Sequence, residues 1–202
     1  MIRSAAREVG VELTEEQEQR LVMFCDVLER WNKRIRLVGD ASRAVVATRH
    51  IADSLTVLED VPQGARLVDV GAGGGFPSVV IATIRGDVSV TALEPIQKKC
   101  AFLKTAAREL ELANYRALPE RDDQHRERDD FVPYDVATSR ATFALPEWLE
   151  AGRLFVRPGG LVIGMEGSRQ EELPNGATRR SIAVGDRSRS IVVLVTESDR
   201  AS

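Results

Sequence analysis

The stretch LVDVGAGGGFPSVVIA, residues 67–82, passes from one short apolar run to another through Gly71, Gly73, Gly74 and Gly75 and then Pro77. The first run reads as a buried strand. The second reads as a helix, whose first turn tolerates proline. In a doubly wound sheet the loop after the first strand faces the crevice where ligands bind. Glycines there permit left-handed backbone and close approach of a ligand, because no Cβ stands in the way. A dinucleotide fingerprint would place a third glycine at position 76, where Phe76 stands. The spacing is instead Gly71-x-Gly73-x-Gly75, with Asp69 at the end of the strand.

Downstream of Arg66, short apolar segments alternate with helical patterns, the signature of βαβ units and a parallel sheet. Strands are expected at RLVDV, VSVTALE, NYRAL, YDVATS and GLVIGM, with RSIAV and SIVVLV as a closing antiparallel pair. Helices are expected from Pro77, Ile96 and Leu145. Upstream, Thr14 and Gln17 form a capping box ahead of a helix carrying Leu21, Phe24, Cys25, Leu28 and Ile35 at helical spacing. A second helical stretch, RHIADSLTVLED, places Ile51, Leu55 and Leu58 on one face. The expected organisation is a helical cap over residues 1–60 and an α/β domain over 61–202. PERDDQHRERDDFVP (119–133) reads as a solvated loop, and RQEELPNGATRR (169–180), with its Asn-Gly turn, as an exposed connection.

A chain of 202 residues with 43% hydrophobic content suits one α/β domain with a small extension. No window approaches the roughly 18 consecutive apolar residues of a membrane span, and the first twenty residues lack the apolar core of a signal peptide. A cytoplasmic protein is expected. Cys25 and Cys100 lie in helical patterns without CxxC spacing or a nearby histidine cluster, so both are expected to be buried thiols, and no metal site is expected. The net charge of −3 excludes a strongly basic nucleic-acid coat, while leaving room for a local RNA-binding patch. Cations do gather locally, with Arg30, Lys33, Arg34 and Arg36 near the end of the first helix and Lys98, Lys99 and Lys104 after Glu94. His50 and His125 are the only two histidines.

TALEP puts Glu94 at the carboxyl edge of the second strand, beside the glycine loop. A carboxylate there can accept hydrogen bonds from both ribose hydroxyls, a role shared by nicotinamide and methyl-donor sites. The glycine spacing resembles the first motif of class I methyltransferases that use S-adenosylmethionine. Four stretches narrow the likeness: WNKRIRL (31–37), RHIADSL (49–55), DVGAGGGFP (69–77) and SRA (139–141). In this order and spacing the chain resembles, over nearly its whole length, the GidB/RsmG family of bacterial ribosomal RNA guanine-N7 methyltransferases.

The resemblance implies a class I methyltransferase fold. That fold is Rossmann-like, with a mostly parallel seven-stranded sheet, an antiparallel closing strand and an N-terminal helical cap. It implies S-adenosylmethionine as cofactor, and a guanine of 16S ribosomal RNA in the small ribosomal subunit as substrate. Asp69, Gly71, Gly73, Gly75 and Phe76 would belong to the donor pocket, with Glu94 at the ribose. Asp122 and Asp123, after Arg121, would stand near the adenine, and Arg140 at the donor and RNA cleft. Lys33, Arg34, Arg49 and His50 are the further candidate RNA contacts, with Arg49 also expected to tie the cap to the catalytic domain. A monomer is expected.

Two departures leave a second reading open. The chain has Arg36-Leu37-Val38 where Asn-Leu-Thr is usual, and Glu166-Gly167 where a lysine-glycine pair is usual. An anion beside a phosphate cleft repels RNA. A family member that binds S-adenosylmethionine but has lost or re-targeted RNA methylation is the alternative, as is action on another RNA or a small molecule. A nicotinamide-dependent oxidoreductase is disfavoured by Phe76.

Guanine N7 has an in-plane lone pair and no proton at neutral pH, so its methylation requires no general base. No residue is therefore assigned a catalytic proton transfer, and alignment of the reacting atoms carries the rate. N7 faces the deep, narrow major groove of A-form RNA, so the target is expected to be unpaired or extruded. Phe76 and Phe143 are the candidates to stack on it.

Overall fold

The computed structural model describes residues 1–140, 142–167, 170–184 and 187–197, the side chains of Val184 and Arg187 excepted. Ala141, from the SRA stretch, and Arg169, at the head of the 169–180 connection, lie outside the described residues. The strands are β1 (Arg66–Val70), β2 (Ser89–Leu93), β3 (Tyr115–Leu118), β4 (Tyr134–Ser139), β5 (Val156–Glu166), β6 (Ala177–Val184) and β7 (Arg187–Val195). They form one sheet in the order β3-β2-β1-β4-β5-β7-β6. The first five run parallel, and β7 is antiparallel to both β5 and β6. This is the Rossmann-like class I arrangement expected.

Successive strand residues point to opposite faces, and each face has its own core. Leu67 packs in a cluster with α2 (Glu15–Asn32), α5 (Ser78–Ile84) and α6 (Gln97–Glu109). Val68, its neighbour, packs with Tyr134, Trp148 and Phe155 beneath α8 (Leu145–Arg153). Phe24, Leu28 and Ile51 share the Leu67 cluster, so residues 1–60 and the sheet have an apolar core in common. α1 (Ile2–Glu8), which periodicity did not reveal, contributes Ile2 and Ala6 to it. Cys25 and Cys100 are both buried, and burial pushes the Cys25 thiol up to about 11 and the Cys100 thiol upward. Among the described residues no helix is long and apolar enough to cross a membrane, and no cluster of His, Cys, Asp and Glu could hold a metal ion.

The Thr14–Gln17 capping box forms as expected, with amide bonds of 2.9 and 3.2 Å. The helix it opens does not continue through Ile35. It ends at Asn32, whose Oδ1 accepts the amides of Leu37 and Val38 at 2.8 and 3.0 Å and so turns the chain back. The second helical stretch is also not continuous. α3 (Arg43–Val45) leads into a π-helical segment, Val46–Ile51, then α4 (Ala52–Leu55). The hydroxyls of Ser54 and Thr56 donate to the carbonyls of His50 and Asp53, competing with regular helix bonding.

The 119–133 segment departs from the solvated loop expected of it. It contains α7 (Asp122–Arg126) and buries His125 to 4% exposure. The imidazole is held at Nδ1 by Glu120 (2.7 Å) and at Nε2 by the Tyr134 hydroxyl (2.8 Å), and packs edge-on against Phe131. Charges crowd the outward side of this short helix, which masks the one side chain turned inward.

Replacing Asn32 with alanine leaves two backbone amides unbonded. Asn32→Ala is expected to lower unfolding free energy by about 1–3 kcal/mol, measured by urea denaturation.

Candidate functional site

The carboxyl ends of β1, β2, β4 and β5 open onto a cavity of about 810 Å³. Gly71, Gly73, Phe76, Glu94 and Arg140 line it, as do Arg49 and His50 from the π-helical segment. Gly75 and Asp69 lie behind that lining. Asp122 and Asp123, on α7, and Lys33 and Arg34, beyond α2, stand outside it. Lys33 pairs with Glu29 at 3.4 Å.

The glycines serve different ends. Gly73 has φ +50°, and a Cβ there would meet nothing nearer than Gly71 O at 3.7 Å and Glu94 Oε2 at 3.9 Å. The space over Gly73 is therefore open. Its amide donates to Glu94 Oε2 at 2.9 Å, while Glu94 Oε1 accepts the Ile96 amide at 2.9 Å. At Gly75 a Cβ would strike Val79 at 2.7 Å and press on the Phe24 ring at 3.2 Å, so glycine there lets the loop settle on the core.

Phe76 is 3% exposed, its ring centroid 5.2 Å from that of Phe24 and 5.0 Å from that of His50. The Arg140 guanidinium lies over the same ring, 5.1 Å from its centre. Phe76 thus has no open face for a base, and its expected stacking role does not fit its packing. Phe143, half-buried at the cavity wall, stacks on Trp148 with ring centroids 5.7 Å apart. Arg140 Nη1 reaches His50 Nδ1 at 3.2 Å. Burial lowers the Arg140 guanidinium from its ordinary range, against the pull of Asp53 and then Asp69. Arg49 is exposed, lines the cavity, and makes no ion pair among the described residues that would tie the cap to the sheet. That tie is made by Arg180, which donates to the Thr56 carbonyl at 3.0 Å and pairs with Glu59 and Asp60.

Two further ion pairs, each joining distant parts of the chain, build the far wall. Arg189 meets Asp53 at 3.3 Å. Arg179 grips both Glu166 oxygens at 2.8 and 3.1 Å, and Glu166 also accepts the Glu171 amide at 2.7 Å. The Glu166 charge is thus neutralised within the wall, which removes the ground for expecting it to repel RNA. Thr142, Lys99 and Met165 also line the cavity, none of them marked by a motif.

Asp69 is fully buried on the Leu67 face of β1, and its carboxylate oxygens have no hydrogen-bond partner among the described residues. Burial pushes the carboxyl up to about 6, with the neighbouring Ser78 hydroxyl and amide and the Arg140 cation opposing it.

The folded protein holds the Asp69 proton to higher pH than the unfolded chain, where it titrates near about 3.9. Stability therefore falls as pH rises through that interval, by an amount on the order of 3 kcal/mol. Asp69→Asn is expected to abolish this fall, so that the variant gains on the wild type between about pH 4 and about pH 7 in urea titrations. Glu166→Gln weakens the grip of the half-buried Arg179, which keeps its bond to the Glu171 carbonyl, and is expected to cost about 1–3 kcal/mol, read as a lower thermal midpoint.

Comparison with known proteins places this geometry. The family model GidB, described as rRNA small subunit methyltransferase G, matches residues 17–201. A relative named ribosomal RNA small subunit methyltransferase G, from Syntrophus aciditrophicus (strain SB), is 36% identical over 177 residues, spanning 86% of this chain and 73% of its own. One of the same name from Geobacter sp. (strain M21) is 30% identical over 185 residues, spanning 92% and 85%. Among solved structures, cofactor-bound Rv0187 from MTB superposes with a TM-score of 0.63 at 15% identity, covering 89% of this chain and 91% of its own, a likeness of fold. The sheet order, the open glycine loop with its partner Glu94, and matches over most of the length agree: the chain belongs to the GidB family of ribosomal RNA small subunit methyltransferases.

Proposed function

We propose that this ribosomal RNA methyltransferase transfers a methyl group from S-adenosylmethionine to N7 of a guanine in 16S ribosomal RNA, free or within the small ribosomal subunit. The observation that carries the reading is the open space over Gly73 beside the Glu94 carboxylate. It is a cradle that any Cβ would begin to fill, at the strand edge where such folds bind nucleosides. S-adenosylmethionine supplies an electrophilic methyl group when bound. Glu94 keeps lone pairs for ribose hydroxyls beyond those engaged by the Gly73 and Ile96 amides. Asp69, Gly71, Gly75 and Phe76 support this floor. Asp122 and Asp123 lie on α7, which follows β3, the strand beside β2, and in this reading they approach the adenine from outside the cavity lining.

N7 has no proton to lose, so the residues around the base need only hold it in line. Guanine and adenine both carry N7 and differ beside it, O6 accepting and N6 donating. The Arg140 guanidinium only donates, and so selects O6. Phe143 offers a stacking surface backed by Trp148. Arg34, Arg36, Arg49, Lys98, Lys99 and Lys104 make no ion pair among the described residues, whereas Arg3, Arg20, Arg30, Arg43, Arg85, Arg128 and Arg157 all do. Arg49 and Lys99 line the cavity, and Leu37, next to Arg36, does as well. These unpaired cations suit RNA phosphates. In this reading residues 1–60 are a cap that supplies the RNA-facing rim, and 61–202 the donor-binding domain. The working form is a cytoplasmic monomer. Its exposed large apolar side chains, such as Met23, Ile96, Val132 and Leu154, are scattered over separate elements.

Gly73→Asp tests the site directly. Aspartate tolerates left-handed backbone better than most residues, so the fold is expected to persist. Its carboxylate would occupy the cradle beside Glu94. Calorimetric donor binding is expected to vanish, and labelled methyl transfer to unmodified 30S particles to fall at least about a hundredfold. Transfer at the wild-type level would remove the assigned cradle.

A further inference from the structure

In the π-helical segment, Val46, Ala47 and Ile51 are buried in the core while Arg49 and His50 face the cavity. Widened turns of this kind recur at functional sites because the extra residue re-aims a side chain. Here the re-aimed imidazole meets Arg140, ninety positions away in sequence, at 3.2 Å. A guanidinium has donors only, so Nδ1 of His50 must accept. A ring nitrogen that accepts carries no proton, so His50 is neutral with its proton on Nε2. The same ring rests on Phe76, and Phe76 carries Arg140 on its face. The three groups close on one another, and Arg140 makes no other side-chain hydrogen bond among the described residues.

We propose that His50 is a positioning residue for methyl transfer: its neutral imidazole fixes Arg140 over Phe76, with the remaining guanidinium N–H groups aimed at O6 of the target guanine. The inference rests on the proposed function of the cavity. Protonation at Nδ1 would remove the acceptor and set two cations against each other, releasing Arg140. Among the described residues, the charged groups that share the cavity with His50 are Arg140 at the end of β4, Arg49 in its own segment, Asp53 on α4, Arg189 on β7, Glu166 on β5, Glu94 after β2 and Lys99 on α6, and Asp40 ahead of α3 acts on it electrostatically. Asp53 also pairs with Arg189, and Glu166 with Arg179, while the contact that the imidazole's proton would break is the one to Arg140.

The test compares wild type, His50→Asn and His50→Phe for methyl transfer to unmodified 30S particles from mildly acidic to mildly alkaline pH. Donor titration and thermal melts run beside it. Asparagine Oδ1 can stand where Nδ1 stood, and phenylalanine keeps the ring but not the acceptor. His50→Phe is expected to lose about tenfold in kcat, the equivalent of about 1.4 kcal/mol, with donor Kd and melting nearly unchanged. His50→Asn is expected to lose no more than about threefold and to lack the acid-side decline of the wild type. Nitrogen-15 NMR of the two imidazoles, assigned by the spectrum of His50→Asn, is expected to show His50 as the Nε2–H tautomer at neutral pH. An Nδ1–H tautomer, an unchanged acid decline in His50→Asn, or full activity in His50→Phe would each overturn the proposal. A wild type that binds donor but methylates no ribosomal particle would instead sink the reading of the cavity, before any variant is compared.

Discussion

The bond from the Gly73 amide to Glu94 is the contact around which the molecule is arranged. It joins the exit of β1 to the exit of β2, and the amides of Gly71 and Ala72 strengthen that joint by donating to the Leu93 carbonyl at 2.9 and 3.1 Å. A loop held this way has a fixed concave surface. Fixing it matters because a donor molecule must lie against backbone, and a misplaced backbone of even an ångström would misalign the reacting atoms. The rest of the chain supports that surface from outside the crevice. Phe24 and Phe76 carry it from beneath, and Val38, held through the Asn32 bracket, lies against Gly74 from the side.

The N-terminal region is therefore part of the site. α2 supplies Phe24 to the glycine loop and Asn32 to the loop beside it, and the π-helical segment supplies His50. The departures from the family pattern fit this view. Val38 is buried against the loop, where an apolar methyl packs as well as a threonine would. Glu166, itself buried, pairs with the half-buried Arg179 and anchors the return from β5 to β6. Such a pair adds little net stability over apolar packing, but losing one partner costs the other its charge-assisted hydrogen bonds. The charge at 166 thus acts on the architecture of the wall, and Arg49 and Lys99, which have no acidic partner among the described residues, are left along the cavity.

Much of the fold was legible because it follows from local periodicity. β1 and β4 begin and end where the apolar runs RLVDV and YDVATS do, and α8 begins at Leu145 as expected. The helix expected through Ile35 and the second helical stretch depart from their apolar spacing where side chains capture backbone groups, at Asn32 and at Ser54 and Thr56. Apolar spacing does not register such bonds. The buried His125 was hidden for a related reason, since its neighbours in sequence are charged and its partners are Glu120 and Tyr134.

By itself the sequence determined the sheet, the glycine loop and the acid opposite it, because those depend on residues a few positions apart and on the period of a strand or helix. Only the tertiary structure decided the far side of the cavity. The Glu166–Arg179 and Asp53–Arg189 pairs and the His50–Arg140 contact join residues 13, 136 and 90 positions apart. It also decided that Phe76 supports the site instead of facing a base. Whether a given charge meets RNA or another side chain depends on which strands become neighbours, and that is set by packing of the whole chain.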